Sequence, residues 1–161
     1  VKQETHGGSL RYVCARKNTY EVKKNVSLFL SEESKKNLDN SNSCFRFKKN
    51  CENSKRNLVN KLLALKEDNK KICGYAATSK STTILNYCGI GTEIIDFICD
   101  TTPEKIGKFS PGKHIPIKSM DYFYKDYPDI AFLFAWNHKK EIFDKEKEFS
   151  QKGKWIAHVE L

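Results

Sequence analysis

No uninterrupted apolar stretch in the 161 residues approaches the roughly 20 that a membrane-spanning helix needs, so a spanning segment is excluded and no membrane partner is expected. No CxxC pair occurs among the six cysteines, Cys14, Cys44, Cys51, Cys73, Cys88 and Cys99, and the four histidines share no metal-ligand spacing. No metal site is expected in this chain. Arginine is scarce: Arg11, Arg16, Arg46 and Arg56 are the only ones among 29 basic residues. Base recognition favours arginine's bidentate fork, and no zinc-finger, helix-turn-helix or RNP-type pattern is present, so the net charge of +9 does not point to nucleic acid. Neither GxGxxG nor the Walker spacing occurs, which leaves dinucleotide folds and nucleotide triphosphatases unsupported. The opening VKQETHGGSL has neither an initiator Met nor the apolar core of a signal peptide, as expected of a piece of something longer.

What is present has an ordinary soluble balance, 39% hydrophobic and 30% charged, at a length that suits one domain over residues 1–161. The charge is uneven. Residues 16–71 hold 15 basic and 7 acidic side chains, which reads as a solvated, lysine-rich helical face. Cys73, Cys88 and Cys99 sit in apolar stretches, where a free thiol behaves as a small hydrophobe, so a reduced, cytoplasmic protein is expected.

Short apolar runs alternate with helical patterns. Strands are expected at 10–15, 72–76, 94–99, in the IPI of 115–117, at 130–135 and in the closing WIAHVEL. Helical spacing appears at Val22, Val26 and Phe29 or Leu30, at Leu58, Leu62 and Leu65, from Thr82 to Cys88, and over 138–151. A polar loop is expected near 31–44. Strands separated by helices imply right-handed βαβ units. The class is α/β, a Rossmann-like three-layer sandwich with a mainly parallel sheet flanked by helices.

Ligands of open parallel sheets bind beyond the carboxyl ends of the strands. There the stretch GYAATSKSTT (74–83) brings hydroxyls, helix-terminal N–H groups and Lys80 together, which suits a phosphate. The same residues also suit a plain helix cap by Ser79 or Ser81 with Lys80 in solvent. His6, flanked by Gly7 and Gly8, is of the type that acts as a general base near neutral pH. His114 lies in a proline-stiffened loop and can donate to a ligand oxygen. His138 is expected to be exposed at the head of a helix, and His158 to be structural in the last strand.

THGGSLR (5–11), CGYAATSKSTTILNYCGIG (73–91), IDFICDTTPEKIGKFSPGKHIPI (95–117) and FAWNHKKEI (134–142) run in an order along the chain that resembles the C-terminal domain of the S-adenosylmethionine-dependent sugar C-methyltransferases. The resemblance implies enzymes acting on nucleotide-linked 4-keto deoxysugars. It also implies zinc-binding and methyl-donor domains that are absent from this chain, with S-adenosylmethionine bound outside it and none bound by this domain alone. This chain would then hold the nucleotide-diphosphate sugar, work with the missing N-terminal domains, and not methylate anything in isolation. A stand-alone nucleotide-sugar binding module without catalysis is the alternative. The resemblance places His6 at the base or proton-relay position, although Thr5 stands where an acidic residue is frequent. Ser79, Lys80, Ser81 and Thr82 fall on the loop assigned to the diphosphate or sugar, with Ser81 and Thr82 replacing the usual Gly and Asn. Asn86, Asp100, Lys105, His114, Trp136 and Asn137 match further binding positions.

Overall fold

The computed structural model describes residues 1–5 and 8–160, and the chain separates into two compact units, Val1–Cys51 and Glu52–Leu161. In the first, β1 (Lys2–Gln3) and β2 (Ser9–Leu10) form a short antiparallel pair with Lys2 opposite Leu10. The strand expected over 10–15 is confined to its first residue. A two-residue partner offers no further ladder, and Tyr12 and Val13 lie exposed. Helix α1 spans Lys24–Lys35 and buries none of its residues. Helix α2 spans Ser41–Glu67 and crosses from the first unit into the second. The loop expected at 31–44 shrinks to 36–40 because the Asn40 side chain accepts a hydrogen bond from the Ser43 N–H (3.1 Å) and starts α2 early.

The second unit is a five-stranded, all-parallel sheet. Its strands are β3 (Ile72–Tyr75), β4 (Ile98–Cys99), β5 (Ile117–Lys118), β6 (Ile130–Leu133) and β7 (Lys154–Ile156), in the order β5-β4-β3-β6-β7. The central pair is in register from Ile72 opposite Ile130 to Tyr75 opposite Leu133. Side chains alternate between the faces as strand geometry requires. Ile72, Ile98, Ile130, Phe132 and Phe134 pack with Leu58 and Leu62 of α2 and Leu85 of α3 (Ser79–Cys88). Cys73, Tyr75, Cys99, Ala131 and Leu133 face Met120 and Phe123 of α4 (Met120–Lys125), and Phe149 of α6 (Lys147–Lys152). Helices thus cover both faces, the Rossmann-like sandwich that the alternation of runs implies. Gly74 is required where it stands, because a Cβ there would come 2.6 Å from the Phe134 ring.

The strand expected over 94–99 is confined to β4, because the N–H groups of Ile94 (3.2 Å) and Ile95 (3.0 Å) turn back to the Gly91 carbonyl. Two further elements are shorter than their patterns. The helix expected over 138–151 is split into α5 (Lys139–Lys145) and α6, with Glu146 (φ −100°, ψ 44°) between them. Glu146 is buried and accepts hydrogen bonds from the hydroxyls of Tyr75 (2.7 Å) and Tyr124 (3.0 Å), a tether that a straight helix would not supply. The closing strand ends at Ile156, and His158–Glu160 form a 3₁₀ turn, so His158 is not a strand residue. Among the described residues, no helix is long and apolar enough to cross a membrane.

Candidate functional site

From β3 the chain adds β4 and β5 on one side, then returns to place β6 and β7 on the other. The order therefore reverses between β3 and β6, and the segments leaving their carboxyl ends, 76–78 and 134–138, flank the switch point where open α/β sheets bind ligands. The first of these is strained. Ala76 has φ +71°, a left-handed conformation that costs a non-glycine residue about 1–3 kcal/mol. Thr78 then caps α3: its side chain accepts from the Ser81 N–H (3.2 Å). The cap is thus Thr78, neither Ser79 nor Ser81.

Lys80, in the first turn of α3, sends its ammonium to the Asn137 side-chain oxygen (3.0 Å) and lies 6.0 Å from the centroid of the Trp136 ring. Trp136 and Asn137 belong to a 3₁₀ turn, Trp136–His138, directly after β6. Three of the expected site residues, with Lys80 and Asn137 57 positions apart in sequence, thus meet at the switch point. An ammonium keeps further donors after one hydrogen bond, and the positive end of α3 faces the same edge, so the arrangement suits an anion. Beside it is an aromatic ring on which a base or sugar can stack.

Asp100 and Lys105 are near this edge but are engaged with the chain itself. Asp100 is 6% exposed and accepts from the N–H groups of Ala77 (2.7 Å) and Thr102 (2.8 Å), and from Lys105 (3.3 Å). Lys105 also donates to the Ala77 carbonyl (2.8 Å). Burial alone would raise the Asp100 pKa, but the Thr102 and Ala77 bonds and the Lys105 charge outweigh it and hold the carboxyl below its usual value. Ser81 is buried, and its hydroxyl donates to the Thr78 carbonyl (2.6 Å). Ser79 is exposed and Thr82 half-buried in the same turn.

Asn86 and His114 form a separate group. Asn86 lies six residues beyond Lys80, about 9 Å further along α3. Its amide donates to the carbonyls of Thr82 (2.8 Å) and Pro111 (2.9 Å). Gly112 (φ +82°) passes so close to it that a Cβ would collide with the amide. Asn86 thus clamps the loop on which His114 sits exposed, with φ +52°. His138 is exposed as expected, 3.7 Å from Glu141. His6 lies outside the described residues.

Against known proteins, the chain matches the C-methyltransferase C-terminal domain over residues 4–159. The chain belongs to this family. It is 34% identical over 151 residues to the C-methyltransferase NovU of Streptomyces niveus, an alignment covering 93% of this chain and 36% of that relative. The chain therefore spans about a third of the length of the curated relative it matches.

Membership in a methyltransferase family implies a donor of the S-adenosylmethionine type in the full-length enzyme. The switch-point residues of this C-terminal domain do not fit that group. The charge they offer is that of Lys80, a cation, which does not suit a sulfonium. Asp100, which follows β4 where a ribose-binding acid is placed in dinucleotide folds, is taken up by backbone N–H groups and Lys105. Among the described residues no cluster of His, Cys, Asp or Glu could hold a metal ion.

One residue at this edge was not expected there. The parallel register sets Ile156 opposite Phe132 at the end of β7, and His158 follows in the 3₁₀ turn beyond the strand's carboxyl end. The Lys80 charge acts on it, after burial, to lower its pKa. The signal was available: a histidine two residues past the end of a parallel strand emerges at the carboxyl edge.

Proposed function

We propose that this chain is the acceptor-binding domain of an S-adenosylmethionine-dependent C-methyltransferase that acts on a nucleotide-linked 4-keto deoxysugar. The reading is carried by one observation: Lys80, Asn137 and Trp136 converge at the switch point of a parallel sheet. Lys80 would neutralise the diphosphate, Asn137 would orient the ammonium, and Trp136 would stack on the base or sugar. Ser79 and Thr82 offer hydroxyls in the same helical turn. Asp100 and Lys105 act as positioning residues that hold the 76–78 turn, and Asn86 holds the His114 loop. The donor binds on sequence outside this chain, so the isolated domain binds acceptor without turning it over. His6 supplies the general base that removes the proton beside the keto group, worth roughly 10²–10⁴-fold in rate.

Calorimetric titration of the chain, separately with a thymidine diphosphate sugar and with S-adenosylmethionine, tests this. The sugar nucleotide is expected to bind and the donor to give no heat. Lys80→Ala is expected to weaken nucleotide binding by about 10- to 100-fold, the weight of a hydrogen bond to a charged group. Silence toward the sugar nucleotide, or binding of S-adenosylmethionine, overturns the assignment.

A further inference from the structure

Tyr75, the last residue of β3, holds the segment that follows β6 at two places. Its backbone carbonyl accepts the Phe134 N–H (3.2 Å), and its hydroxyl donates to Glu146 Oε1 (2.7 Å). Phe134 opens this excursion of the chain and Glu146 closes it. Between them lie the Trp136–His138 turn and α5. Both side chains of the hydroxyl bond are out of water, Tyr75 and Glu146 each being buried. Apolar packing alone does not fix the segment. No residue of the turn or of α5 is buried, and Ile142 and Phe143 are only partly covered where they pack on the cluster that contains Tyr75 and Phe123. Glu146 is anchored in turn by the Tyr124 hydroxyl of α4 (3.0 Å). Hydrogen bonds to a carboxylate are stronger than neutral ones, and shielding from water strengthens them further. Burial first, then the Glu146 carboxylate, raises the Tyr75 pKa far above its usual value, so the hydroxyl remains a donor at any working pH.

We infer that Tyr75 is a positioning residue of the switch-point site: its hydroxyl bond to Glu146 clips the 134–146 segment so that Asn137 and Trp136 meet Lys80 before ligand arrives. The inference rests on the nucleotide reading above and goes beyond it by naming what preorganises the site. Tyr75 acts through Glu146, which fixes the far end of α5 and with it the turn from which α5 starts. A turn already ordered in the free chain lowers the ordering cost of binding.

Tyr75→Phe removes only the hydroxyl and keeps the ring that packs edge-on against Phe123 (5.5 Å) and Trp155 (5.2 Å). Calorimetry at a temperature where the variant is fully folded is expected to show thymidine diphosphate binding weakened about 10-fold, part of what a hydrogen bond to a charged group is worth. Glu146→Gln keeps an acceptor for the hydroxyl and is expected to bind nearly as the unmutated chain does. Plain loss of stability is separated from positioning by a double-mutant cycle with Asn137→Ala, in which the two losses of affinity are expected to be less than additive. In the ligand-free chain the indole ¹⁵N–¹H NOE of Trp136, assigned by its loss in Trp136→Phe, is expected to match that of Trp155. It should fall in Tyr75→Phe and hold in Glu146→Gln. Unchanged affinity in Tyr75→Phe, additive losses in the cycle, or a Trp136 NOE that does not respond overturns the inference while the nucleotide reading stands. Failure of the unmutated chain to bind thymidine diphosphate or a sugar nucleotide removes that reading, and the Trp136 NOE then decides the clip. Should Tyr75→Phe fail to fold, a mobile Trp136 indole in the unmutated chain overturns the inference without any variant.

Discussion

Asp100 connects three parts of the chain at once: the N–H of Ala77 beyond β3, the N–H of Thr102 beyond β4, and the Lys105 ammonium. Each bond is charge-assisted and at least partly shielded, which makes the carboxylate worth more than a neutral isostere. Asp100→Asn retains the shape but can present only one acceptor oxygen where three donors converge. The expected cost is about 2–3 kcal/mol of stability, read as a lower urea midpoint. Thymidine diphosphate binding is expected to weaken as the strained Ala76 turn loses its hold. A variant with unchanged midpoint and affinity would show that Asp100 positions nothing. This role was not legible in the sequence, where the resemblance places Asp100 at a binding position. The interaction with Ala77 exists because β3 and β4 are neighbours in parallel register, with Tyr75 opposite Cys99. Lys80, by contrast, was legible, because its placement follows from a local strand-to-helix turn. His158 read as part of the closing strand, whereas it follows β7 in a 3₁₀ turn.

The α5–α6 break shows the same division at the scale of elements. Lysines and glutamates over 138–151 support a continuous helix by local spacing, and the residues on either side of Glu146 are helical. The break answers to a residue 71 positions away, Tyr75 on β3, whose hydroxyl needs an acceptor in the aromatic layer beneath the sheet. Burial first, then the neighbouring Glu146 carboxylate, raises the pKa of Tyr75 and pushes that of Tyr124 up to about 12. Glu146→Gln keeps an acceptor but removes the charge, so the Tyr124 transition is expected to move down toward the ordinary tyrosine value near 10 in a spectrophotometric titration. Glu146→Ala leaves the Tyr75 hydroxyl unpaired and is expected to cost about 2–4 kcal/mol. A Tyr124 transition that stays put in Glu146→Gln would assign the whole shift to burial. Strand patterns, unlike this break, were readable because burial on both faces leaves its own mark: the continuous apolar run at 130–135 contains β6.

At the scale of the whole molecule, two groups linked to the switch point make stability depend on pH in the same direction. Asp100 has a folded pKa below its unfolded value, so the stability it contributes is present above about pH 3.9 and lost as pH falls through the folded value. His158 has an imidazole pKa lowered by burial and then by Lys80. The unfolded chain takes up that proton first, so stability is full above about pH 6.5 and declines as pH falls from there to the folded value. Acidification therefore removes stability in two separate windows, on a chain whose net charge of +9 already adds self-repulsion. Urea midpoints at about pH 7.5, 5.5 and 3 should fall at both steps. His158→Leu is expected to flatten the upper step alone, and Asp100→Asn the lower one. An upper step that survives in His158→Leu would assign it to other groups. Saturating pyrophosphate offers a further discrimination. An anion on Lys80 offsets the charge that disfavours imidazolium, so the His158 pKa should rise toward 6.5 and the upper step should shrink. A ligand that binds elsewhere would raise every midpoint and leave the step between them unchanged.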